Sequence, residues 1–154
     1  KETSFVYPSV AALGPPATGC PFTGPVAGFY TVNCSGQNSV NSPKWTINAG
    51  LEQVFPLSNG GNVKFNAQTR YQSSAQTSYD FYPIGKQDGY FMSDLYLTYE
   101  APENKYFVTG FVNNVEDTAA VTYTQPHPRG SVPLLSRQSL TSPRTYGVRV
   151  GIKF

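Results

Sequence analysis

The last stretch of the chain, Pro143 to Phe154, restricts the fold more than any other. Read with a period of two, it separates completely: Tyr146, Val148, Val150, Ile152 and Phe154 fall on one side, and Gly147, Arg149, Gly151 and Lys153 on the other. Side chains alternate between the faces of a β-strand, so this segment is a strand with one apolar and one charged face.

The same alternation recurs upstream. Trp45, Ile47, Ala49, Leu51 and Phe55 share one face, against Thr46, Asn48, Gly50 and Glu52. After a turn at Pro56–Gly61, rich in residues that tolerate positive φ, Val63, Phe65, Ala67, Thr69 and Tyr71 alternate with Asn62, Lys64, Asn66, Gln68, Arg70 and Gln72. Kept in register, that hairpin places Glu52 opposite Lys64 or Asn66. Phe91, Leu95, Leu97 and Tyr99 alternate with Met92, Asp94, Tyr96 and Thr98, and a second short turn follows at Ala101–Asn104. The strand from Tyr106 to Val115 is less clean. Its apolar side is read as Tyr106, Val108, Gly110 and Val112, with Phe107, Thr109, Phe111 and Asn113 opposite.

Composition fits strands that meet something other than a protein core. Aromatic residues reach 14% while charged residues are only 13%, about half the usual share. No apolar run approaches the roughly 18 residues of a membrane helix. The mean hydropathy of −0.33 averages away strands that are apolar only at alternate positions. A net charge of +2 spread along the chain provides no basic patch for nucleic acid.

Between the strands the chain is rich in Gly, Pro and Ser. Residues 8–42, 73–88 and 116–142 read as loops, so connections run long, short, medium, short, long. In an antiparallel meander this places every short turn at one rim and every longer loop at the other, the asymmetry of outer-membrane barrels. The expected architecture is therefore all-β: an antiparallel meander forming the last strands of a large transmembrane β-barrel, with short periplasmic turns and long extracellular loops. Trp45, Ile47, Leu51, Phe55, Val63, Phe65, Tyr71, Phe91, Leu95, Leu97, Tyr99, Tyr146, Val148, Val150, Ile152 and Phe154 would face lipid, and Glu52, Lys64, Arg70, Asp94, Arg149 and Lys153 the lumen. The lumen set is read first as solvated or mutually paired wall residues. A passive barrel built from several chains and a secreted β-sandwich remain as alternatives, and the sandwich would give the sorting of loop lengths no cause.

The two cysteines, Cys20 and Cys34, both lie in the first long loop. They are either free thiols or a disulfide, and an even count in a polar loop favours the disulfide. Closing a loop of this size stabilises by roughly 3 kcal/mol in the chain-entropy picture. Two thiols and one distant His127 do not make a zinc site. That histidine stands between Pro126 and Pro128 with no acid or nucleophile motif beside it, so neither a catalytic site nor a cofactor site is expected. Phe22, Phe29, Tyr30, Tyr79, Phe81, Tyr82, Tyr123, Arg129 and Arg137 are the candidate ligand contacts of the loops, because aromatic and Arg side chains combine large area with directed polar groups.

Three stretches carry a resemblance to a family. Asn41-Ser42-Pro43-Lys44-Trp45 resembles the (N/S)xPKW lead into a late strand of TonB-dependent outer-membrane receptors. Val112-Asn113-Asn114-Val115-Glu116-Asp117 resembles that family's VxNLxD end of the penultimate strand, and Ser142-Pro143-Arg144-Thr145-Tyr146-Gly147 with Phe154 its PRTYG…F last strand. The pair of cysteines in the preceding loop is similar too. Arg149 stands where the family's assembly signal usually has glycine. The resemblance implies energised uptake of a scarce, bulky nutrient, an iron–siderophore complex by default. It also implies as partners a plug domain and earlier strands of a barrel of about 22 strands, outer-membrane lipid and lipopolysaccharide, and, indirectly, the TonB energy-coupling system. Neither plug nor signal peptide is present and the chain opens at Lys1, so it reads as the C-terminal piece of such a receptor.

Overall fold

The computed structural model describes residues 5–126 and 136–153. In chain order its strands are β1 (Val6–Val10), β2 (Phe22–Val26), β3 (Phe29–Asn33), β4 (Thr46–Pro56), β5 (Asn62–Gln72), β6 (Ala75–Gln76), β7 (Lys86–Gln87), β8 (Tyr90–Glu100), β9 (Tyr106–Asn113), β10 (Val121–Pro126), β11 (Ser136–Leu140) and β12 (Thr145–Ile152). Every pairing between them is antiparallel. The chain divides into two compact units.

One unit is an open five-stranded sheet in the order β12-β9-β8-β5-β4. Its register runs without a slip, so the two faces seen in single strands extend across the whole sheet. Leu51, Ala67, Leu95, Val112 and Tyr146 lie side by side, as do Phe55, Val63, Tyr99, Val108 and Val150. The opposite face carries the row Glu52, Asn66, Tyr96, Phe111 and Gly147. The less regular strand β9 thus has the expected orientation. One departure is Gln53, which shares the apolar face with Phe65 and Leu97.

The apolar face is open to solvent. Tyr146 is 81%, Val148 70%, Trp45 68% and Ile152 67% exposed. The unit has instead a set of polar-face contacts. Gly147 and Gly151 pair with Phe111 and Phe107, whose rings lie over the two glycines. A Cβ at Gly151 would fall 2.1 Å from Phe107 Cε1, and one at Gly147 2.8 Å from Phe111 Cζ. Aromatic rings covering glycines on a neighbouring strand supply the cross-strand contact that those glycines cannot.

The short connections at residues 57–61 and 101–105 leave the same end of the sheet. The Lys153 amide donates to the Lys105 carbonyl at 3.0 Å, which brings the end of β12 to that rim as well.

The other unit comprises residues 1–44, 73–89 and 120–140, and here the expectation of three irregular loops is corrected. Residues 8–42 contain a three-stranded sheet in the order β1-β3-β2. Residues 73–88 contain the short pair β6–β7, and residues 116–142 the pair β10–β11. Strands of two to six residues are too short to display a period, and Pro8 and Pro25 interrupt two of them. Their order comes from contacts across segments. Cys20 and Cys34 form the disulfide, with Cα atoms 5.1 Å apart, and with Val32 they make the buried cluster against which Tyr7 and Phe81 pack. Elsewhere in the unit buried hydroxyls replace apolar bulk. The Thr77 and Thr124 hydroxyls meet at 2.8 Å, and the Thr77 hydroxyl also reaches the Gly85 carbonyl at 2.8 Å.

Candidate functional site

Two regions of the sheet unit have the arrangement of a site. The first is its polar face. An open concavity of about 630 Å³ lies over β4, β5 and β8, with Asn48, Glu52, Asn66, Gln68, Arg70 and Asp94 on its walls. The register sets Glu52 opposite Asn66, and the Asn66 amide donates to the Glu52 carboxylate at 3.4 Å. Asn66, not Lys64, is therefore the partner of Glu52. Lys64 instead donates to Glu100 on β8 at 2.8 Å. Arg70 donates to Gln72 Oε1 at 3.0 Å. Arg149 lies in the row of Lys64, Thr98 and Thr109. The Thr98 and Thr109 hydroxyls bond each other at 2.8 Å. These charges are spaced as wall groups with near neighbours. Among the described residues, no group of three or more His, Cys, Asp or Glu side chains converges, so no metal-ligand set is assembled there.

The second region, at the long-loop end, was not foreseen as a contact network. Beyond β9 the chain turns through Asn114 and Asp117, whose φ values of 54° and 57° are ones that Asn and Asp adopt more readily than other side-chain-bearing residues. Asn114 is 3% exposed. Its amide nitrogen donates to the Thr118 carbonyl at 3.0 Å and the Ser142 carbonyl at 2.9 Å, and its Oδ1 accepts from the Thr118 amide at 2.9 Å. Its own backbone amide donates to Asp94 Oδ1 at 2.9 Å. Asp94, read as a lumen wall group, thus fastens the turn after β9 to β8.

Asp117 completes the clasp. Its Oδ1 accepts from the Arg144 backbone amide at 2.9 Å, and its Oδ2 lies 3.4 Å from the Arg144 guanidinium. These two donations hold the Asp117 carboxyl below the ordinary Asp range. Beside it, Glu116 takes the Ser93 amide and hydroxyl. Partial burial pushes that carboxyl up, but the Ser93 hydroxyl and the backbone amides of Glu116 and Ser93 outweigh it, so it also titrates lower than usual. Two of the three motif stretches, Val112–Asp117 and Ser142–Gly147, are therefore bonded to each other. The spacing of the motifs could not have shown this, because it needs the register of β9 against β12.

The described loop candidates fall in the disulfide-linked unit, with different surroundings. Tyr79 is 71% exposed, and Phe22, Phe29, Tyr123 and Arg137 are also exposed. Phe22 and Tyr30 stack edge to face, with centroids 5.6 Å apart. Phe81 is half-buried against the disulfide cluster, and the Tyr82 carbonyl accepts from the Gln76 amide at 2.8 Å. Phe81 is therefore tied to that unit's interior. Arg129, His127 and Phe154 lie outside the described residues. Comparison with known proteins matches no family model, no curated protein and no solved structure.

Proposed function

We propose that the chain forms the C-terminal strands of a TonB-dependent receptor barrel in a bacterial outer membrane, part of a machine that imports a scarce, bulky nutrient. The observation that carries this reading is the continuous apolar face of the five-stranded sheet. Three of its strands, β4, β5 and β8, are 11 residues long. A tilted strand of about 9–11 residues crosses a bilayer core.

Aromatic residues lie towards both ends of this face, with Trp45, Tyr71 and Phe91 near the long loops and Phe55, Tyr99 and Tyr106 near the short turns. Between them lie mainly small and aliphatic residues such as Ala67, Leu95, Leu97 and Val112. Interfacial aromatic girdles flanking an apolar band have this layout. The family motifs add the word receptor, and uptake of an iron–siderophore complex is the default that the resemblance provides. In this reading the polar face lines the lumen against the plug, and the disulfide-linked unit is the extracellular part. The wider barrel, the plug and energy from the inner membrane would come from the rest of the receptor and the TonB system.

The test is to fractionate the natural source and probe for this segment. The receptor reading expects it in the outer membrane, within a chain several-fold heavier than 16.8 kDa, and expects deletion of that chain to abolish accumulation of one bulky nutrient. A soluble natural protein of this mass, folded without detergent, would sink the proposal.

A further inference from the structure

The disulfide-linked unit contains a small cleft in which Phe81 alone of the sequence-read candidate contacts takes part. It has a volume of about 160 Å³ and is lined by Gln37, Asn38, Ser42, Ser74, Gln76 and Lys86, with Ala75 and Phe81 completing the walls. Its surroundings are fixed by short bonds. The Asn41 amide donates to the Gln76 carbonyl at 2.7 Å, and Gln76 pairs with Lys86 across β6 and β7. The Gln76 side-chain amide donates to the Tyr82 carbonyl at 2.8 Å and Ser78 Oγ at 3.2 Å. Gly85 is buried so closely that a Cβ there would meet Ser78 Oγ at 2.1 Å. Phe81 packs against the disulfide cluster.

The lining chemistry is one-sided. It offers amides, two hydroxyls and one ammonium, and no carboxylate belongs to it. Lys86 lies 3.5 Å from Asp88, with both side chains well exposed at 60% and 86%. An exposed pair of this kind contributes little, so an incoming anion can take its place. The volume is below the roughly 300–1,000 Å³ of a complete small-molecule pocket, which suits one functional group at the end of a larger ligand. From this donor set and the flat Phe81 wall we infer that the cleft is a subsite for a hydroxylated carboxylate, of the kind found on a sugar acid. Lys86 meets the carboxylate, the serines and amides meet the hydroxyls, and Phe81 lies against the ring. The inference rests on the receptor reading only in taking the group to be part of the imported nutrient.

The probes are galacturonate and its uncharged counterpart galactose, titrated calorimetrically into the full chain in detergent. Galacturonate should bind saturably and at least about tenfold more tightly than galactose, since only the ionised carboxylate accepts a charge-assisted hydrogen bond from Lys86. K86M should remove that preference, while K86R should keep most of it. Lys86 is exposed, so neither variant disturbs a core. Equal binding of the two sugars, no saturable binding at millimolar concentration, or an unchanged preference in K86M would each overturn the subsite. A chain that enters bilayers but shows no preference refutes the subsite alone. A chain that shows the preference yet folds in water without detergent refutes the membrane reading alone.

Discussion

Asn114 is where the clasp is most vulnerable. Its side chain makes three hydrogen bonds in a buried position, each with a net worth of about 1 kcal/mol, and it occupies a left-handed backbone conformation that costs an ordinary residue roughly 1–2 kcal/mol. N114A should therefore destabilise the chain by roughly 4–5 kcal/mol. N114G loses the same bonds without the backbone strain and should recover about 1 kcal/mol of that loss. N114D is the decisive variant. It retains the acceptor for the Thr118 amide but turns an oxygen toward the Thr118 and Ser142 carbonyls, so it should be at least as damaging as N114A despite its matching shape. The assay is urea unfolding of the full chain in lipid vesicles, followed by the fluorescence of Trp45, its single tryptophan. If N114D stays within about 1 kcal/mol of the parent, the two carbonyls are not held by the Asn114 amide, and the account of the clasp is wrong.

Three further outcomes follow from the geometry. G151A should destabilise by about 1–3 kcal/mol, as overpacking does, because the new Cβ collides with the Phe107 ring; the F107A/G151A double variant should recover part of the loss in a double-mutant cycle, and strict additivity would refute the ring-over-glycine contact. Asp117 titrates below its ordinary range, so its contribution is present above the unfolded-state pKa and lost as pH falls through the lower folded value. D117N should flatten that acid limb in a stability–pH series, whereas an unchanged limb would remove Asp117 from the clasp. Reducing Cys20–Cys34 should cost roughly 3 kcal/mol for a loop of this size, with amide exchange accelerating at Thr31 and Val32 while amides in β8 keep their protection. Uniform loss of protection would contradict the separation into two units.

The sheet was legible in the sequence because period two survives over 11 residues. Phe65, Ala67, Thr69 and Tyr71 announce their shared face without help from any other strand. Even Tyr106–Asn113, where Phe107 and Phe111 blur the alternation, resolves once Gly147 and Gly151 are seen to need covering. The clasp was legible only as separate motifs. Asn114, Asp117 and Arg144 stood out as residue types, but their bonds run between positions 20 to 28 residues apart or depend on a turn with positive φ. The disulfide-linked unit was the least legible. Among the described residues its buried groups are one disulfide, Val32, Ala120 and a few threonine and serine side chains, and five-residue strands carrying prolines have no pattern that distinguishes them from loop.

Two shortfalls in the sheet unit point to the same remedy from different physics. The first concerns its apolar face. Ile47, Leu51, Phe55, Phe91, Leu97, Tyr146, Val148, Val150 and Ile152 are all more than half exposed. Fully burying a side chain of this size is worth roughly 1.5–3 kcal/mol, so the uncovered face is worth on the order of 10 kcal/mol, comparable with the whole stability of a domain. Lipid would meet that need, and so would a second sheet. The second shortfall is at the edges. The outer sides of β4 and β12 have no strand partner among the described residues, and each unsatisfied backbone group in hydrocarbon costs several kcal/mol. Lipid makes that deficit worse, while further strands remove it. A sandwich partner covers the face and leaves both edges open; a bilayer alone covers the face and penalises the edges. Lipid outside and additional strands at both edges satisfy the two demands together, as a closed barrel does. The same arrangement would turn the row of Glu52, Asn66 and Tyr96 toward an interior where polar side chains stay hydrated or paired.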